Sequence, residues 1–203
     1  ALLVALRKAQ QDGLHAAGYL HYAAGFALEP KLAPLAAQET GRVAWFGLYE
    51  GYDSIDPHVV PAFLPEAAGA YLGPITPDLS PSDYAAKIAT LLDYINAGDI
   101  YQANMTFRAT ALAHGHPTAL YARIRPRASA GYGGLIDDGE RQILSFSPEL
   151  FFALRDGRLT TKPMKGTARR LSNDAADAAA RAELAADPKQ RAENLMIVDL
   201  LRN

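Results

Sequence analysis

The sequence contains no cysteine, which excludes disulfides and thiolate-bound metal sites. No apolar run reaches membrane-spanning length. The N-terminus does not show a basic stretch, an apolar core and a small-residue cleavage site in succession, the pattern of a signal peptide. These absences fit a cytoplasmic location, which is the expectation. Positive charge is not in excess: 20 basic residues face 22 acidic ones, for a net charge of −2. With the charges nearly balanced, nucleic acid is a poor partner. The glycines at 131, 133 and 134 are not followed by Lys-Ser or Lys-Thr, so no phosphate loop is present.

What is present is ordinary globular material. The chain has 203 residues, 49% hydrophobic and 21% charged, enough for one large core or two small ones. Its first and last residues fall inside helical patterns, so it reads as part of a longer protein. Leu2, Leu6 and Ala9 share a helical face, and Gly13 is placed to end that helix. Residues 15–28 read as a strand before a turn at Glu29-Pro30, and 42–49 (RVAWFGLY) as a second strand. Residues 50–79 hold five prolines and read as loop. Ser80-Pro81 opens a helix with Asp83 in its first turn, a core-facing stripe of Tyr84, Ile88, Leu91 and Ile95, and Gly98 at its end. Residues 117–124 read as a short helix and the basic run ARIRPRAS (122–129) as a solvated loop.

Three stretches carry chemistry. Residues 100–110 alternate strictly, so Gln102, Asn104, Thr106 and Arg108 share a polar strand face. That face is either solvated or lines a cleft. Residues 140–164 read as a hairpin turning at Asp156-Gly157. Positions equidistant from the turn pair, so Glu149 falls opposite residues 164–165, beside Lys165. This is either a cross-strand ion pair or an acid beside a nucleophilic amine. Asn173 and Asp187-Pro188 cap two further helices. On the second, Glu193 shares a face with Ile197 and Leu200. A carboxylate there is either paired or one ligand of a magnesium ion.

Four blocks in this order resemble the chorismate-utilising enzymes: GDIYQANMTFR (98–108), SFSPELFF (145–152), KPMKGTARR (162–170) and DPKQRAENLMIVDLLRN (187–203). That family includes anthranilate, aminodeoxychorismate, isochorismate and salicylate synthases. GLHAAGYLHYAAGF and VAWFGLY, in the first third, look like the aminodeoxychorismate branch. The sequence departs from it at Ala23, often Glu there, and at Ala168-Arg169-Arg170, where Arg-Pro-Arg is common.

The resemblance implies an α+β fold, with antiparallel sheets packed together and helices outside. Residues 1–79 would be an N-terminal scaffold part and 80–203 the first part of the catalytic domain. It implies chorismate as substrate, Mg2+ as cofactor and a glutamine amidotransferase subunit that supplies ammonia. Gln102 stands where the water-using branch has a lysine, which implies an ammonia user. Lys165 stands where anthranilate synthases typically have alanine and aminodeoxychorismate synthases have lysine, so it would be a covalent nucleophile. Glu149 would be the general acid, Gly166 and Thr167 would line the substrate, and Glu193 would bind magnesium. The family's later blocks, including a second magnesium carboxylate, are not in this sequence. The 203 residues are therefore expected to hold part of a site and to be inactive alone. The alternatives are anthranilate synthase activity and a non-catalytic domain that keeps the fold to bind a ligand or partner.

Overall fold

The computed structural model describes residues 2–36 and 41–202, so Ala1 and Asn203 at the two ends lie outside it. Two compact units share the chain. One comprises residues 1–127 and 135–144, the other 128–134 and 145–203. This division by packing does not coincide with the one drawn at 79/80 from the sequence.

In the first unit, helix α1 (Leu2–Gln11) buries Ala9 and half-buries Leu2 and Leu6, the face the periodicity marked. Gly13 ends it at φ +78°, a conformation that costs glycine nothing. Strands β1 (His15–Leu20) and β2 (Ala44–Tyr49) pair antiparallel from His15↔Tyr49 to Leu20↔Ala44. A Cβ on Gly18 would run into the carbonyl of Trp45, which is why the strand carries a glycine at that point. The strand expected over 15–28 stops at Leu20, where its partner runs out. Residues Tyr22–Ala27 turn into a 3-10 helix, capped by His21 Nδ1 accepting from the Ala23 N–H at 3.3 Å. The four-residue helix α2 (Ala33–Ala36) follows.

The proline-rich 50–79 stretch is mostly irregular. It contributes a 3-10 turn at Val60–Phe63 and the short strands β3 (Tyr71–Leu72) and β4 (Thr76–Pro77). Helix α3 (Pro81–Ala97) has the expected ends: Ser80 Oγ accepts from the Asp83 N–H at 3.1 Å, and Gly98 closes it at φ +83°. Its stripe is not a core face here. Ile88 and Leu91 are half-buried, Tyr84 and Ile95 remain 39% and 37% exposed, and the helix has no buried residue. Tyr84 packs edge-on against Phe107, ring centres 5.9 Å apart.

Residues 101–108 are not a strand. Only β5 (Ala109–Thr110) forms a ladder, with β4, and β6 (Ala113–His114) pairs with β3. Alternation selects extended backbone, but a strand also needs a partner's N–H and C=O groups. Among the described residues no strand offers them to 101–108. The basic run is corrected in the opposite direction: helix α4 (Pro117–Ala128) continues through it, with Pro126 in its last turns. Ala119 and Leu120 anchor that helix, packing with Ala70 and Leu144, and Arg125 Nη2 donates to the Pro57 carbonyl at 3.2 Å.

Strands β7 (Tyr132–Asp137) and β8 (Gln142–Ser147) pair with each other. The turn between them holds Asp138, whose side chain is fully covered. Its carboxylate accepts from the Tyr19 hydroxyl at 2.6 Å and from the N–H groups of Arg141 and Glu140 at 2.7 and 3.0 Å. The guanidinium groups of Arg42 and Arg141 stand 3.5 and 3.6 Å away. The Tyr19 hydrogen bond, then the two backbone donors and Arg42, hold its pKa well below the usual carboxylate range, against the opposing effect of burial. The same bond raises the Tyr19 pKa.

The second unit holds the hairpin of β9 (Leu150–Arg155) and β10 (Arg158–Lys162), then helices α5 (Asp174–Ala186) and α6 (Pro188–Arg202). Asn173 Oδ1 caps α5 through the Ala176 N–H at 2.9 Å. The architecture is the expected α+β class, built from antiparallel two-stranded sheets and helices. Among the described residues, Ala9, Ala23, Ala70, Ala119 and Leu120 are the buried hydrophobics. Among the described residues no helix is long and apolar enough to cross a membrane.

The fold favours the ionised form of Asp138, so its contribution is full above about pH 4, the value for an unfolded aspartate. It is withdrawn as the pH falls below that toward the depressed folded value. Asp138→Asn is expected to lower the melting temperature by several degrees at pH 7. The gap to the wild type should narrow below about pH 4 in thermal melts across pH.

Candidate functional site

The site is built on the β9–β10 hairpin. Asp156 and Gly157 take φ +49° and +73° at its turn, the left-handed pair that matches the twist of a two-residue hairpin. Arg155 therefore pairs with Arg158, Leu154 with Leu159 and Ala153 with Thr160. Beyond Thr160 the register shifts by one residue, and Lys162 pairs with Leu150. Such a bulge re-aims the strand end that follows it. Glu149 comes just before β9, at the same open end. The Ser147 hydroxyl holds it in a tight turn, accepting from the Glu149 N–H at 3.2 Å and donating to its carbonyl at 3.1 Å.

From that turn Glu149 Oε1 accepts from the Met164 N–H at 3.0 Å. The expected meeting of Glu149 with residues 164–165 is present, through the backbone beside Lys165 and not through its amine. Among the described residues no ion pair joins Glu149 to Lys165. Lys165 is half-buried and Glu149 exposed.

Gly166 follows in a left-handed conformation, φ +78°. A Cβ there would stand 2.5 Å from Gln190 Oε1, 3.1 Å from its Cδ and 3.3 Å from its Cβ. The loop after Lys165 thus lies under the first turn of α6. Asp187 sets that turn, its Oδ1 accepting from the N–H groups of Lys189 and Gln190 at 2.8 and 3.0 Å. Glu193 is three residues beyond Gln190 and on the same helix face. It is half-buried, with the Lys189 amine 4.0 Å away. Thr167 is exposed. Gln102 is half-buried in the irregular 101–108 stretch and belongs to the first unit, whereas the other five expected site residues belong to the second.

Past Thr167 an open cleft of about 250 Å³ is lined by Arg169, Arg170, Asp177, Arg181 and Leu184. The Leu171 N–H and then the Arg170 guanidinium lower the Asp177 pKa, at 2.8 Å and 3.0 Å respectively.

Magnesium takes one or two protein carboxylates and completes its octahedron with water and substrate oxygens. Glu193 offers one half-buried carboxylate and fits as a single ligand of such an ion. Among the described residues no group of three or more histidine or acidic side chains is gathered for a metal.

Sequence reasoning missed Gln190. Its contact with Gly166 joins residues 24 positions apart in the chain. The available signal was the spacing of Gln190 and Glu193, which places an amide and a carboxylate on one helix face.

A family model described as chorismate binding enzyme matches residues 2–203. Aminodeoxychorismate synthase component 1 of Klebsiella aerogenes is 40% identical over 126 residues, 62% of this chain and 28% of that protein. Anthranilate synthase component 1 of Thermus thermophilus is 36% identical over 126 residues, 62% of this chain and 27% of that protein. The crystal structure of anthranilate synthase component I from Streptococcus pneumoniae aligns with a TM-score of 0.69 at 21% identity. The alignment covers 94% of this chain and 49% of that one. That likeness speaks for the fold. The chain spans roughly a quarter of the curated relatives' length and half of the structural neighbour's.

Removing the cap in Asp187→Ala is expected to cost about 1 kcal/mol of stability. Urea denaturation of the wild type and the variant measures that difference.

Proposed function

We propose, since this chain belongs to the chorismate binding enzyme family, that it carries the nucleophile of an aminodeoxychorismate synthase. The reaction joins chorismate and ammonia to give 4-amino-4-deoxychorismate and water. The observation that carries this reading is the open end of the hairpin, where the Glu149 carboxylate is bonded to the Met164 N–H next to a half-buried Lys165.

Lys165 acts as the free amine and attacks carbon two of chorismate. Both ring double bonds shift, and the hydroxyl at carbon four leaves as water with the proton of Glu149. Ammonia then attacks carbon four, and the bond between carbon two and the lysine nitrogen breaks. One ammonia proton returns to Glu149. A covalent amine splits one difficult displacement into two easier ones, and a positioned acid assists the leaving group. The bond from Met164 engages one oxygen of the Glu149 carboxyl group and leaves the other to face substrate.

Gly166 and Thr167 would line the substrate. Gln102 offers hydrogen bonds but no base to activate water, which favours ammonia as the incoming group. Glu193 would supply one carboxylate to a magnesium ion, whose charge would offset that of the substrate carboxylates. A glutamine amidotransferase subunit in the cytoplasm would provide the ammonia. The component 1 relatives support this two-component reading in their printed names. Anthranilate synthase is the second reading, favoured by the Thermus relative. Lys165 argues against it.

The test uses the full-length protein with chorismate, magnesium and ammonium. Lys165→Ala is expected to reduce aminodeoxychorismate formation at least about a hundredfold, and Glu149→Gln by about a hundredfold or more. An unchanged rate in Lys165→Ala would sink the nucleophile role. Anthranilate as the wild-type product would transfer the assignment to the second reading.

A further inference from the structure

We infer that Gln190 is a positioning residue for the reaction proposed above: it clamps the Lys165–Gly166–Thr167 loop onto the first turn of α6 and so fixes the amine relative to Glu193. The inference rests on that reading of Lys165, which the experiment below tests separately.

A glutamine in the first turn of a helix ordinarily extends into water, because ordering its side chain costs rotamer freedom. Gln190 instead is half-buried, with Oε1, Cδ and Cβ all within van der Waals reach of the space above the Gly166 Cα. Its backbone is held independently by the Asp187 cap, at 3.0 Å. The side chain therefore projects from a fixed point.

Gly166 needs a positive φ, and any side chain there would displace Gln190. Lys165 immediately precedes this contact and Thr167 immediately follows it. Glu193 lies one helical turn along the same face of α6. Gln190 is thus the side chain that touches the nucleophile's loop and shares a rigid element with the expected magnesium carboxylate.

Its chemistry suits the place. A neutral amide stays uncharged at all working pH values. A carboxylate at this position would stand close to Glu193 and repel a dicarboxylate substrate. The shape of the side chain, not its charge, carries the role.

The test measures kcat and KM for chorismate in the full-length protein. Gln190→Ala is expected to lower kcat by about ten- to a hundredfold with KM little changed, because the loss is in the placement of the amine. Gln190→Met keeps the length and packing, and is expected to retain most of the activity. Gly166→Ala alone should be severely impaired. Adding Gln190→Ala to it should cost far less than Gln190→Ala costs in the wild type, since the contact is already broken. Wild-type kcat in Gln190→Ala, a loss in Gln190→Met equal to that in Gln190→Ala, or strictly additive effects with Gly166→Ala would each overturn the inference while Lys165→Ala remains inactive. If Lys165→Ala keeps full activity, the reading of the nucleophile falls and the clamp falls with it.

Discussion

Two consecutive left-handed residues, Asp156 and Gly157, fix which side chains meet at the far end of the β9–β10 hairpin. A turn of this kind admits one register, and a slip of one residue would send every side chain to the opposite face. The bulge after Thr160 then shifts that register once, on purpose in the sense that it re-aims the chain where the ladder ends. Turn and bulge together deliver the Met164 N–H to the Glu149 carboxylate and leave Lys165 next in line. The helix α6 reaches the same loop through a different constraint, the absence of a side chain at Gly166. The acid, amine and carboxylate of the candidate site therefore depend on backbone conformation at a handful of positions more than on attraction between the groups themselves.

The first unit is held by a different kind of interaction. Asp138 is a covered charge, and its partners come from three places in the sequence: the Tyr19 hydroxyl in β1, the Arg42 guanidinium ahead of β2, and the β7–β8 turn itself. A buried carboxylate that is fully answered specifies one arrangement, because losing any donor leaves the charge under-paired. With alanines making up most of its buried residues, this unit relies on such polar closure more than a domain with a thick core would.

What could be read from the sequence follows the range over which each signal acts. The caps at Ser80, Asn173 and Asp187 and the turn at Asp156-Gly157 were legible, because each depends on residues within three or four positions. The end of β1 at Leu20 was not, because it is set by the length of β2. Alternation over 101–108 predicted a strand that has no ladder partner among the described residues. The basic run after Ile124 looked like loop, yet it continues a helix anchored by Ala119 and Leu120. At the candidate site, Lys165, Glu149 and Glu193 were singled out by local chemistry and the four blocks, whereas the bulge and the Gln190 contact arise only when distant segments pack.

Among the described residues the hairpin that leads to Lys165 has only two strands, and Phe152, Leu154 and Leu159, which share one of its faces, are 56–65% exposed. Covering such a side chain contributes about 1.5–3 kcal/mol, and a lone two-stranded ladder is marginal in water. Its two outer edges also offer unpaired backbone groups to any passing strand. The geometry of the amine in its proposed role is therefore conditional: its rigidity is lent by whatever surface comes to rest on these three side chains. Under the proposed reading, order at the site and protection from aggregation then become the same event, reached when that apolar face leaves water.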